Sequence, residues 1–207
     1  MDGNGEHPRY AAAERAALAD TLTEIGPDAP TLCEGWASRH LAAHLVVRER
    51  RPLASLGNVV PFLAGRTERV QRRLAETRVA AGEYPRLVEE VRRGPRWGPL
   101  RIARVDEAVN LVEFFVHHED LRRTGTGWTV RDLPPGYTAA LWGRVGTLAR
   151  LNPTKEAGTV VLVAPGFGRV RRGREGREVT VTGAPPELLL WLFGRRSVAE
   201  VMVDRAS

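Results

Sequence analysis

Two short stretches hold most of the groups that could do chemistry. In "NLVEFFVHHEDLRR", residues 110–123, Glu113, His117, His118 and Asp120 stand among large apolar side chains. In "SRHLAAHLVVRERR", residues 38–51, His40 and His44 stand four apart. Four of the five histidines of the chain thus fall in two tight pairs. In a helix, residues four apart share a face, so Glu113 and His117 can point at one centre, and His44 can meet them from a second helix. Two neutral imidazoles and one carboxylate, with positions left open for water or substrate, suit zinc, nickel, iron or manganese, with zinc favoured.

The same residues admit plainer readings. Glu113 and His117 also suit a hydrogen-bonded core pair or a salt-bridge network, with Arg104, Arg122 and Arg123 near in sequence. His44 also suits a single satisfied core histidine. His118 lies about 100° around the helix from His117 and is expected to point elsewhere. Asp120 is expected to orient His117 or to pair with an arginine. His40 is an alternative ligand, nearer the helix start and expected to be more exposed. Cys33 has no base near it in sequence and reads as a buried or loop thiol. "GFGRVRRG" is glycine-rich but lies between strands and opens no helix, so it is no phosphate cradle.

The elements that must position these groups can be read from periodicity. "RYAAAERAALADTLTEIG" predicts a helix with Ala12, Ala16, Leu18 and Leu22 near one face, stopped by Gly26 and Pro27. Ser38 is a plausible cap for the next helix, and Pro52 ends it. Residues 53–79 predict one or two helices, and "YPRLVEEVRR" a short one opened by Pro85. From about Val105 to Arg123 the pattern predicts a largely buried helix, with Val105, Val109, Val112 and Val116 as one apolar stripe. After "TGTG", "GYTAALWGRVGTLAR" predicts a helix. "TVVLVAP" and "EVTVTGAP" predict strands, and "RVRRGREGR" a strand-turn-strand with an exposed hairpin. "PPELLLWLFG" predicts a proline-opened helix closed by Gly194, while "VAEVMVD" fits a helix end or a strand. The expectation is an α+β chain: an all-helical part over residues 1–128 and a small α+β domain over 129–207. No internal repeat is visible.

The totals exclude several classes. At 43% hydrophobic and 27% charged, the composition is that of a folded globular chain. No apolar run approaches the roughly 18 residues needed to span a bilayer. "MDGNGEHPRY" lacks the basic-then-apolar pattern of a signal peptide, which predicts a cytoplasmic protein. One cysteine precludes an internal disulfide. The net charge of +6 invites a nucleic-acid reading. Yet every basic residue except Lys155 is arginine, a bias that suggests a GC-rich genome. The arginines are also dispersed and not interleaved with stacking aromatics. These features argue against nucleic acid as the partner.

"LCEGWASRHLAAHLVVRERRP" followed by "DEAVNLVEFFVHHEDLRR" resembles the metal-binding DinB-like superfamily. The likeness is to the branch around mycothiol-dependent maleylpyruvate isomerase and its actinobacterial metal-binding relatives. The tail "VTVTGAPPELLLWLFGR" resembles the C-terminal domain of that branch. The resemblance implies a DinB-like four-helix bundle followed by a small α/β domain, and it places the metal ligands on His44, Glu113 and His117. It assigns the catalytic arginine of the C-terminal domain to Arg195. Where His40 stands, the family motif is usually acidic, which leaves the coordination number open.

The implied chemistry joins a divalent metal to mycothiol, the low-molecular-weight thiol cosubstrate. A thiol coordinated to a metal loses its proton, and the thiolate is a nucleophile. It can add to an unsaturated diacid, allow bond rotation and leave, or stay attached as in S-transfer, while arginines hold substrate carboxylates. The expected partners are therefore a small electrophilic substrate and the thiol, with no membrane; a homodimer is compatible with this. The alternatives are a non-catalytic metal-binding or sensor protein, and an arginine-rich nucleic-acid binder.

Overall fold

The computed structural model describes residues 9–50, 64–151, 158–173 and 176–205. The chain divides into two compact units, residues 1–128 and 129–207. The regular elements described in the first unit are helices: α1 (Tyr10–Ile25), α2 (Ser38–Arg50), α3 (Ala64–Ala80), α4 (Tyr84–Arg93) and α5 (Ala103–Arg122), with a 3₁₀ turn at Pro99–Arg101. The second unit holds α6 (Pro135–Leu151), β1 (Thr159–Ala164), β2 (Gly168–Gly173), β3 (Glu178–Gly183), α7 (Pro185–Leu192) and β4 (Val201–Arg205). The chain is thus α+β, as expected. Pro52 and the first part of the helical stretch expected over 53–79 lie outside the described residues. Among the described residues, no helix is long and apolar enough to cross a membrane.

In the first unit, α1 lies along α5, and α2 contacts α1, α3 and α4. Leu18, Leu22, Leu41, Leu45, Leu87, Leu111, Phe114 and Phe115 are fully buried there. The buried face of α1 runs through Ala11, Arg15, Leu18 and Leu22, with Ala12 and Ala16 at its half-buried edge. Gly26 stops the helix with a positive φ of 74°.

The valine stripe expected on α5 holds at Val112 and Val116 and fails at Val109, which is 48% exposed. The first turns of α5 bury Asp106 and Asn110 instead. The reason is a polar network in the core. Arg15 donates to Glu49 at 2.6 Å and to Asp106 at 2.8 Å, and Asn110 donates to Glu49 at 3.0 Å and Asp106 at 2.7 Å. Such groups can be buried because each finds its counter-charge or acceptor. Hydropathy alone reads Val109 as the inward residue because it does not count that pairing.

In the second unit, α6 buries Tyr137, Leu141, Val145 and Ala149 at four-residue spacing, and α7 is buried along its whole length. The sheet order is β2-β1-β3-β4, with β1–β3 parallel and the other pairs antiparallel. This corrects the expected hairpin over 169–177, because β2 and β3 are not neighbours. The apolar β1, with Val160, Val161, Leu162 and Ala164 buried, lies between them, and the arginine-rich β2 takes the exposed edge. "VAEVMVD" contributes the other edge strand, β4.

Candidate metal centre

Three side chains from two helices converge in the first unit. His44 lies in the middle of α2, a helix buried on nearly every side. Glu113 and His117 are one turn apart on α5. His44 Nε2 stands 3.0 Å from Glu113 Oε1, and His117 Nε2 stands 3.4 Å from the same oxygen. The three candidate donor atoms all lie within 4.8 Å of one another, and the two imidazole rings are 5.1 Å apart, edge to face. Donors bonded at about 2.0–2.1 Å to a tetrahedral ion stand roughly 3.3 Å apart, so these separations suit one small divalent cation. The ring nitrogens fit as well: each imidazole turns Nε2 inward and has Nδ1 held from behind.

Those rear contacts come from separate elements. His117 Nδ1 meets Asp120 Oδ2 at 2.9 Å, with the Asp120 side chain fully buried. His44 Nδ1 meets Gln71 Nε2 at 3.1 Å. Gln71 is reached because α3, otherwise polar, turns Thr67, Gln71 and Ala75 inward at four-residue spacing. The Gln71 amide donates to Nδ1, which places the His44 proton on Nε2, facing Glu113. A half-turn of that amide places its oxygen against Nδ1–H and leaves the Nε2 lone pair for an ion.

The loop between α1 and α2 closes over the rings. Thr31 Oγ1 donates to Trp36 O at 3.0 Å and accepts from Cys33 N at 3.1 Å. Leu32 N donates to Asp120 O at 3.0 Å, tying the loop to the end of α5. The loop sets the Trp36 ring 5.3 Å from that of His44. It also brings the Cys33 thiol 3.2 Å from Asp120 Oδ2, into a second close cluster with His117 and Asp120. Cys33 therefore does have a base beside it, brought from 87 positions away by the fold.

The electrostatics are those of a tightly coupled set. Burial works to raise the pKa of Glu113, but hydrogen bonds from His117 and His44 and the charge of Arg48 outweigh it and hold the group well below the usual carboxylate range. Burial disfavours the His117 imidazolium, yet bonds to Asp120, Cys33 and Glu113 prevail and raise its pKa well above the usual value. His44 goes the other way: burial lowers it, and the charges of His117 and Arg48 add to that against the bond to Glu113. The upward shift at His117 means that a cation at its Nε2 would have to compete with a proton.

Arg48 Nε lies 3.2 Å from Glu113 Oε1. The carboxylate is compensated by an arginine from α2, while Arg122 and Arg123 are taken by Glu119. His118 faces α1, with Nδ1 2.6 Å from Glu14 Oε1 and Nε2 2.9 Å from Thr21 Oγ1. His40 is as buried as His44, contrary to expectation. Its Nδ1 accepts from Ala37 N and its Nε2 lies 2.9 Å from Glu76 Oε1, so both ring nitrogens are engaged away from the convergent donors. Arg195 lies in the second unit, where its guanidinium donates to Phe193 O at 2.6 Å. The sequence reading missed Gln71 and Arg48, and Asp120 as the partner of the Cys33 thiol; no local pattern marks these contacts, because each joins residues far apart in sequence.

The fold and the convergent donors define the class: a helical unit carrying a histidine–carboxylate pocket with the donor set of a divalent-cation site, followed by a small α+β unit. Residues 9–96 match the family model described as Mycothiol maleylpyruvate isomerase N-terminal domain, so the resemblance to that branch is borne out over the stretch that holds the first motif. Among solved structures, the chain is similar to the mycothiol-dependent maleylpyruvate isomerase, with a TM-score of 0.55 and 19% identity over 99% of this chain and 96% of that one. A histidine-to-alanine mutant of that isomerase gives a TM-score of 0.53 and 18% identity over the same shares. A search of curated proteins gives no match.

Proposed function

We propose that the chain binds one divalent metal ion through His44, Glu113 and His117 and uses it with mycothiol, in isomerisation of or S-transfer to a small electrophilic substrate. The observation that carries this reading is the convergence of two Nε2 atoms on one carboxylate oxygen, at 3.0 and 3.4 Å, with both Nδ1 atoms held from behind. When bound, the cation supplies Lewis acidity and the positive charge that keeps a thiol ionised for attack on an unsaturated diacid or similar electrophile.

The chain's own residues have separable parts in this proposal. Asp120 and Gln71 hold the two imidazoles in the tautomer that offers Nε2. Arg48 screens the Glu113 carboxylate. The Trp36 ring shields one side of His44 from water. Arg195 is proposed to hold a substrate carboxylate as a guanidinium fork, an assignment that rests on the family resemblance alone. The finer assignment of the first unit as a DinB-like four-helix bundle, with α1, α2, α3 and α5 as its members, is part of the same proposal. The cation is proposed to be zinc, and the protein to work in the cytoplasm.

Metal analysis of protein purified without chelator tests the reading. The expected result is close to one divalent ion per chain, lost in His44→Ala. Mycothiol-dependent turnover of an electrophile panel should follow metal content. Metal-free parent protein that takes up no zinc, nickel, iron or manganese on titration would refute the proposal.

A further inference from the structure

A cleft of about 690 Å³ opens beside the C-terminal half of α4 and the turn that follows it. None of the convergent metal-ligand candidates lines it. Its walls carry five arginines, Arg50, Arg86, Arg93, Arg96 and Arg101, against two carboxylates, Glu89 and Glu90. Those carboxylates are already engaged. Glu89 pairs with Arg93 at 2.6 Å, Glu90 pairs with Arg78 outside the cleft at 2.9 Å and with Arg50 at 3.5 Å, and Arg86 pairs with Glu83 at 2.7 Å, which leaves Arg96 and Arg101 as the cleft arginines without a carboxylate among the described residues. Among the described residues the Arg96 side chain makes no hydrogen bond or ion pair, and the Arg101 guanidinium reaches only the Arg96 carbonyl, at 3.3 Å.

Arg50 is built into this wall. Its Nε donates to Gly94 O at 2.9 Å and an Nη donates to Glu90 O at 2.8 Å, so two backbone carbonyls fix the plane of the guanidinium. Burial lowers its pKa, and the charges of Arg96 and Arg93 push the same way against Glu90. A smaller hollow of about 150 Å³ shares Arg93, Pro95 and Arg101 with the cleft and is floored by Arg15. The Nε of Arg15 is buried with no acceptor among the described residues. Gly94 makes this approach possible. It has a φ of +68°, and a Cβ there would sit 3.1 Å from Arg15 Cζ.

Arg96 and Arg101 stand beside three paired arginines with no carboxylate of their own among the described residues, and a bound anion would offset the Coulomb cost of that excess charge. The volume falls within the roughly 300–1,000 Å³ of small-molecule sites and confines the charge to one concave spot, not a track for a polymer backbone. We propose that this cleft binds a compact polyanion, a small molecule bearing several phosphate or carboxylate groups.

Titration calorimetry on the full-length, metal-loaded protein tests this with two probes: fructose 1,6-bisphosphate for phosphates and tricarballylate for carboxylates. The parent should bind at least one probe with a Kd below roughly 1 mM. The doubly substituted Arg96→Ala/Arg101→Ala protein should bind it at least about tenfold more weakly, with unchanged metal content. Both positions are exposed, so the fold is spared, and the probe that binds identifies the anion class. The proposal is overturned if neither probe binds, or if the double substitution leaves the Kd unchanged. It is overturned equally if a single-stranded oligonucleotide binds more tightly than both probes and loses that binding in the variant, because the cleft would then serve a nucleic-acid backbone.

Discussion

Asp120→Asn isolates the part that orientation plays at the proposed metal centre. Asp120 is the buried acceptor for His117 Nδ1 at 2.9 Å and also meets the Cys33 thiol at 3.2 Å. Asparagine keeps the shape and an acceptor oxygen but removes the negative charge behind the imidazole. An acceptor of this kind fixes the tautomer and strengthens the nitrogen donor, and its loss typically costs 10–100-fold in metal affinity, about 1.4–2.8 kcal/mol. The substitution should also pull the His117 pKa down, since Asp120 is the largest influence raising it, and that weakens proton competition at neutral pH. Working at about pH 8.5, where protons compete less, therefore exposes the larger part of the loss. The assay is a competitive titration of metal-free protein against a chromophoric zinc chelator, with circular dichroism to verify the fold. His118→Asn is the control, because His118 engages Glu14 and Thr21 instead. A zinc affinity for Asp120→Asn within twofold of the parent would refute the orienting role.

Two further perturbations address separate contacts. Gln71→Leu removes the only side-chain contact described here at His44 Nδ1 and should weaken metal binding roughly tenfold, whereas Gln71→Glu should retain it; the same titration reads both. Tyr84 donates to the carbonyls of Leu22 and Gly26 at 3.1 and 3.3 Å, and burial raises its pKa to about 12. A phenol with a raised folded pKa contributes stability that is complete below the unfolded value, about 10, and is lost as the pH climbs through the folded one. Urea unfolding between pH 9 and 12 should therefore show stability falling by at most about 1.4 kcal/mol per unit above pH 10. Tyr84→Phe should flatten that slope, and an unchanged slope would refute the assignment.

Much of the architecture was legible because it depends on local signals. Gly26, Pro85 and Gly194 mark element ends where they were read, and β-branched runs became β1 and β3, whereas Ser38, read as a cap, is the first residue of α2 and donates its hydroxyl to the Gly26 carbonyl. What failed depended on partners remote in sequence. Val109 stayed outside because Arg15 and Glu49, from α1 and α2, make it favourable to bury Asp106 and Asn110. The arginine-rich stretch after β1 formed no hairpin with β3, because the apolar β1 is worth more in the middle of the sheet than at its edge. His40 was expected to be exposed near a helix start, yet Glu76 from α3 covers it.

For the candidate centre, the sequence by itself determined the donor types and one spacing: Glu113 and His117 must share a face of α5 because a helix repeats every 3.6 residues. It also determined that His44 and His40 lie on a different helix. Only the tertiary structure decided which of those two meets Glu113, which ring nitrogen each imidazole turns inward, and that Gln71, Arg48, Trp36 and Cys33 surround them. Helical periodicity is a property of neighbours along the chain, whereas the register of one helix against another is set by the packing of side chains as far apart in sequence as His118 and Glu14.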